Sequence, residues 1–119
     1  MHKILLILFS VLMWCAEASA QSVEARYDHF FLEAVMEREK GNDDAAFDLF
    51  MHCIDIDPTK PEAYYFLGKL YTNLKEKEKA LGCFEKAAEL NPDNDIYLET
   101  LAYSYVQSAR IEDATAILA

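Results

Sequence analysis

Glycine, proline and tryptophan are scarce in this 119-residue chain, which holds three, three and one of them. So few helix breakers argue for helices. With 53% hydrophobic and 13% aromatic residues, the composition also excludes the disordered classes. Basic residues are few: 11 lysines and arginines face 21 aspartates and glutamates, a formal charge of -10. A surface of that sign repels phosphate backbones and anionic headgroups, which speaks against nucleic acid as a partner. Histidine is limited to His2, His29 and His52. There is no nucleophile-elbow motif, no glycine-rich phosphate loop and no cluster with metal-ligand spacing. The chain is therefore expected not to be an enzyme, with no catalytic residue, cofactor or metal implied.

What is present begins with one apolar run. Lys3, the ten residues Ile4 to Met13, and Ala18-Ser19-Ala20 before Gln21 follow the order of a secretory leader: a positive start, an apolar middle, a small-x-small cleavage site. Ten helical residues rise about 15 Å, half of a hydrocarbon core of about 30 Å, so the run is too short to span a membrane. The expectation is a signal peptide over residues 1–20, cleaved after Ala20, and an exported chain, periplasmic or secreted, with no stable membrane insertion thereafter. Cys15 suits a lipoprotein, but bulky Trp14 stands where such signals need a small residue. Residues 1–20 contain one lysine and one glutamate, so the remainder keeps 10 basic against 20 acidic side chains. Residues 21–26 are expected to be a polar lead-in.

Pro61 to Asn94 organises the rest. Tyr64, Leu67, Gly68 and Tyr71 recur at i, i+3, i+4 and i+7, which puts them on one face of a helix. Ala80, Cys83, Phe84, Ala87 and Leu90 do the same for a second helix, which Pro92 ends. Between them the polar run Asn73 to Lys79 predicts a short connection and an antiparallel hairpin, with the alternating charges of Lys75 to Lys79 solvated. This pattern resembles the tetratricopeptide repeat. That family's 34-residue unit places an aromatic, a leucine and a small residue in its first helix, a small residue, an aromatic and another small residue in its second, and then proline. The matching residues are Tyr64, Leu67, Gly68, Tyr71, Ala80, Phe84, Ala87 and Pro92.

Moving one repeat length upstream gives Phe30, Glu33, Ala34, Glu37, Ala46, Phe50, Cys53 and Pro58; moving one downstream gives Leu98, Leu101, Ala102, Tyr105, Ala114 and Leu118. The sequence thus predicts repeats over 27–60 and 61–94 and a truncated third over 95–119. Glu33 and Glu37 depart from the pattern: either they cap an end that has no predecessor, or the first helix is rotated so that Leu32 and Met36 point inward. Gly41 is expected to stop that helix, with Asn42 or Asp43 capping the next; Thr59 and Glu62 have capping-box spacing. Asp93-Asn94-Asp95 is expected to cap a helix after Pro92 rather than to bind calcium, and Cys53 and Cys83 to be core thiols. Because the third unit stops inside its second helix, the chain is expected to be an N-terminal fragment of a longer protein or to self-associate through an open C-terminal repeat edge.

The resemblance implies an all-α solenoid, a right-handed superhelix of antiparallel helix pairs, whose first helices line a concave groove that binds a protein or peptide partner. The groove positions would be Asp28, Phe31, Val35, Arg38 and Glu39 in the first unit, and Glu62, Tyr65, Lys69, Thr72 and Asn73 in the second. The third would add Ile96, Glu99, Tyr103, Val106 and Gln107. Phe31, Tyr65 and Tyr103 would form an aromatic stripe. The carboxylate clamp of chaperone-adaptor members is absent, since its positions hold Phe31, Val35, Phe66, Ile96 and Thr100. Two other roles fit the same pattern: the regulatory front of a larger enzyme, or a self-associating structural array.

Overall fold

The computed structural model describes the backbone of residues 2–119 and the side chains of residues 2–12 and 22–119. Among the described residues the chain forms six helices and no strand: α1 (His2–Glu39), α2 (Asp43–Ile56), α3 (Glu62–Asn73), α4 (Lys77–Leu90), α5 (Asp95–Gln107) and α6 (Ile111–Leu118). Consecutive helices pack on one another along the whole series, giving an elongated body of 71 × 35 × 18 Å.

α1 is one uninterrupted helix that includes the lead-in expected over 21–26. No glycine or proline occurs before Gly41, so nothing in the backbone stops the helix earlier. Its front part packs on nothing: Ile4 to Phe9, Val11 and Leu12 are all exposed. The expected cleavage site, Ala18 to Ala20, lies outside the described side chains. Among the described residues no helix is long and apolar enough to cross a membrane.

Small residues set the spacing of the helices. Ala46, Ala80 and Ala114, which hold the same place in successive units, are 0%, 2% and 3% exposed; Ala34, Gly68 and Ala102 form a second buried ladder. At Gly68 the approach is tightest, because a methyl group there would come within 2.7 Å of Phe84 Cδ1 and 2.8 Å of Cζ. Two apolar clusters result. One holds Tyr27, Ala34, Phe50, Cys53, Leu67 and Leu70 between α1, α2 and α3; the other holds Leu81, Phe84, Ala87, Tyr97, Leu101 and Tyr105 between α4 and α5.

The three intra-hairpin turns share one geometry. Gly41, Lys75 and Ala109, again equivalent in the three units, have φ of +83°, +60° and +58°. Each N–H bonds three residues back, to Arg38, Thr72 and Val106. The next N–H, of Asn42, Glu76 and Arg110, reaches five residues back at 2.9, 2.9 and 2.8 Å. This is the Schellman closure, which satisfies the last carbonyls of a helix with one left-handed residue. Only the first of the three is a glycine, so the other two turns carry the steric cost of a Cβ in the left-handed region.

Helix starts differ from expectation in two places. Asn42 precedes α2 but makes no cap; its Nδ2 donates instead to Glu37 Oε2 at 2.8 Å, holding that carboxyl below its usual range. The Thr59–Glu62 capping box does not form, because Asp57 Oδ1 accepts both the Thr59 N–H at 3.0 Å and its hydroxyl at 2.6 Å. Asn94 does cap α5, its Oδ1 accepting the Tyr97 N–H at 3.0 Å. The rotated first helix is ruled out: Leu32 and Met36 are exposed, while Glu33 pairs with His29 at 3.7 Å on the outer surface. The outward surface of α1 therefore mixes His29 and Glu33 with Leu32 and Met36.

Two stability effects follow from the turn and the ladder. Lys75→Gly and Ala109→Gly each raise unfolding stability by about 0.5–1 kcal/mol, the strain relieved exceeding the added backbone entropy; urea unfolding checks this. Gly68→Ala lowers it by about 1–3 kcal/mol, because the Phe84 ring must leave its site.

Candidate functional site

The first helices α1, α3 and α5 touch side by side through aromatic rings. Phe31 on α1 stacks on Tyr27 at 6.0 Å between centroids and meets Phe50 and Phe66 edge-on at 5.8 and 5.6 Å. Phe66 lies parallel to Phe50 at 5.3 Å and meets its neighbour Tyr65 at 5.5 Å; Tyr65 continues the row to Tyr97 on α5 at 5.1 Å. These offset and edge contacts are the arrangements that ring quadrupoles favour. Two cations lie over the row. The Arg38 guanidinium is 5.3 Å from the Phe66 centroid, and Lys69 Nζ is 5.0 Å from that of Tyr65 and 5.9 Å from that of Phe66. The Phe66 ring thus carries a cation from each of two helices, an arrangement that holds both charges close to an apolar surface.

Beside this row a cleft of about 400 Å³ opens where the end of α3 and the start of α4 face α5. Phe84, Ala80 and Tyr103 supply its apolar walls, and Thr72, Ser104 and Gln107 its neutral polar groups; Lys75 and Lys77 stand at its rim. Among the described residues no carboxylate lines it.

The family model for the tetratricopeptide repeat matches residues 61–94, the stretch that contains α3 and α4. Residues 61–94 are a tetratricopeptide repeat. A putative cytochrome c-type biogenesis protein, CcmH, of Haemophilus influenzae is 30% identical over 111 residues, 90% of this chain. The chain spans about a quarter (24%) of that relative's length. Among solved structures, MamA from Desulfovibrio magneticus superposes with a TM-score of 0.69 at 20% identity, over 77% of this chain and 52% of that one. The O-GlcNAc transferase of Thermobaculum terrenum does so with a TM-score of 0.72 at 22% identity, over 81% of this chain and 18% of that one. At these identities the structures share the fold: an all-α array of antiparallel helix pairs.

Within this tetratricopeptide-repeat array, the positions named from sequence fall into separate groups. Phe31, Arg38, Tyr65 and Lys69 come together around Phe66, and Val35 packs half-buried in the same region. Tyr103 and Gln107 belong to the cleft. Asn73 and Val106 are exposed and join neither group. The expected stripe of Phe31, Tyr65 and Tyr103 is therefore replaced by Phe31, Phe66, Tyr65 and Tyr97. Tyr103 stands at a unit position four residues beyond that of Phe31 and Tyr65, one helical turn farther along α5. Phe66 is the residue that sequence reasoning passed over. Its signal was present: beside Tyr64 and Tyr65 it completes three consecutive aromatics, more than a single inward face can hold. Lys75 and Lys77, expected to be merely solvated, border the cleft.

Cys53 and Cys83 are both free thiols in the apolar region between the repeats. Burial pushes each thiol up from 9.0 to about 11. The raised values favour the protonated form in the fold, so this contribution to stability is complete below pH 9 and is lost as the pH climbs through about 11. Near pH 8 the native thiolate fraction is about a hundredfold below that of the unfolded chain. Alkylation of Cys53 and Cys83 by iodoacetamide at pH 8, read site by site by mass spectrometry, is therefore slow in the native protein and fast in urea; equal rates would contradict the buried placement.

Proposed function

We propose that this tetratricopeptide-repeat chain is an exported scaffold whose first-helix face, the concave side implied by the repeat geometry, captures a protein or peptide partner. The observation that carries this proposal is the row Phe31–Phe66–Tyr65 with Arg38 and Lys69 laid over it. Aromatic rings combined with arginine and lysine, prearranged on rigid helices, are the groups that give binding hot spots at small entropic cost. Export is supported by the leader-like order of residues 1–20 and by the exposed apolar side chains of Ile4 to Phe9, which take no part in either core. On the description of the Haemophilus relative, the partner class we propose is a protein of cytochrome c-type biogenesis. The unit boundaries we adopt are a leader over 1–20 and repeats over 27–60, 61–94 and 95–119, the last one short, with α6 eight residues long against fourteen in α2 and α4.

A photo-cross-linking amino acid placed at Lys69 or at Tyr103 should yield adducts with a second polypeptide in the native compartment. Placed at Glu85 or Glu89, on a second helix, it should yield none. Adducts confined to the second-helix positions would sink the proposal, and adducts only between copies of this chain would favour self-assembly over capture.

A further inference from the structure

The two inter-repeat interfaces differ in polarity at one buried position. Leu70 of α3 is 2% exposed and fills the interface between the first and second repeats; one unit later the same position is Ser104, the sole polar residue among the buried ones described. Ser104 has three fewer side-chain carbons than Leu70 and lines the cleft together with Phe84 and Ala80. The charges change as well. The positions of Lys75 and Lys77 are held in the first repeat by Gly41 and Asp43, so at these two positions only the second interface carries lysines. Neither lysine forms an ion pair among the described residues. A chain with a net charge of -10 thus presents one cleft with two available ammonium groups and no carboxylate among its described lining residues.

We propose that this cleft is a subsite for an acidic peptide segment: an apolar side chain enters between Phe84 and Tyr103, and flanking carboxylates meet Lys75 and Lys77. The inference deepens the scaffold proposal and rests on it. The walls account for the anchor, because the exposed ring of Tyr103 and the small open edges of Phe84 and Ala80 offer apolar surface that only an apolar group can cover without loss. The rim accounts for the sign of the partner, because like charges meeting the rest of the surface would be repelled while the two lysines draw carboxylates to this point. Ser104, Thr72 and Gln107 supply partners for the peptide backbone, which an apolar cleft alone would leave unpaired.

The test is an NMR titration of the full 15N-labelled chain with the pentapeptide Ac-Asp-Glu-Phe-Glu-Asp-NH2 and its neutral counterpart Ac-Asn-Gln-Phe-Gln-Asn-NH2. The acidic peptide should perturb the amides of Lys75, Lys77, Phe84 and Ser104 with a Kd of about 1 mM or tighter, and the neutral one should bind about tenfold more weakly. Ser104→Leu, which restores the residue type found at Leu70, should abolish the response while leaving the circular dichroism spectrum and melting temperature at or above those of the parent. Lys75→Gln with Lys77→Gln should equalise the two peptides. Equal affinity of both peptides for the parent chain overturns the proposal. Perturbations centred on Phe31 and Phe66 overturn the cleft but leave the first-helix face as the binding surface. No perturbation at about 5 mM peptide also overturns the cleft, and the cross-linking pattern then decides the fate of the face separately.

Discussion

A helical hairpin cannot take its own apolar stripe out of water, and everything in this chain follows from that constraint. Each helix here shares its apolar residues with the hairpin before or after it, so the second helix of one unit and the first of the next must come close. The chain meets this by placing alanine or glycine at the contact points, twice in every unit. Gly68 against Phe84 shows the same device inside one hairpin, between α3 and α4, with a hydrogen atom on one side and an aromatic ring on the other. Having fixed the approach, the small residues also fix what remains on the outer surface: the aromatic row across α1, α3 and α5 exists because those helices are brought within ring distance of one another.

The fold was legible because its rule is local and repeated. Ala46, Ala80 and Ala114 could be aligned without insertion, and all three are buried. Glu33 departs from the repeat pattern because it lies on the outer surface beside His29, outside either core. Other features were hidden because sequence reports residue type, not which competing partner a group takes. Asn42 has the composition of a helix cap yet is drawn off by Glu37, and Thr59 is claimed by Asp57 before it can serve α3. The left-handed turns at Lys75 and Ala109 carry no glycine to announce them. Only their distance from Gly41 does so.

The candidate site was legible in part for the same reason. Positions taken from the repeat pattern located Phe31, Arg38, Tyr65 and Lys69 on adjoining helices, since helix period alone decides which face a residue occupies. Phe66 escaped because it sits between faces, reaching back to Phe50 while supporting two cations from above. The cleft escaped because it depends on a difference between repeats, Ser104 in place of Leu70, and a search for shared residues is blind to such differences.

The helix α3 belongs to both cores. Its Ala63, Leu67 and Leu70 close the first cluster, and its Tyr64, Tyr65 and Tyr71 pack against the second. No plane through the array separates the two clusters without cutting this single helix. A rotation of α3 that loosened one cluster would necessarily shift the rings seated in the other. The two repeats joined by it are thus mechanically one body, and torque applied at either end of the described array reaches the opposite core through the stiffness of a twelve-residue rod.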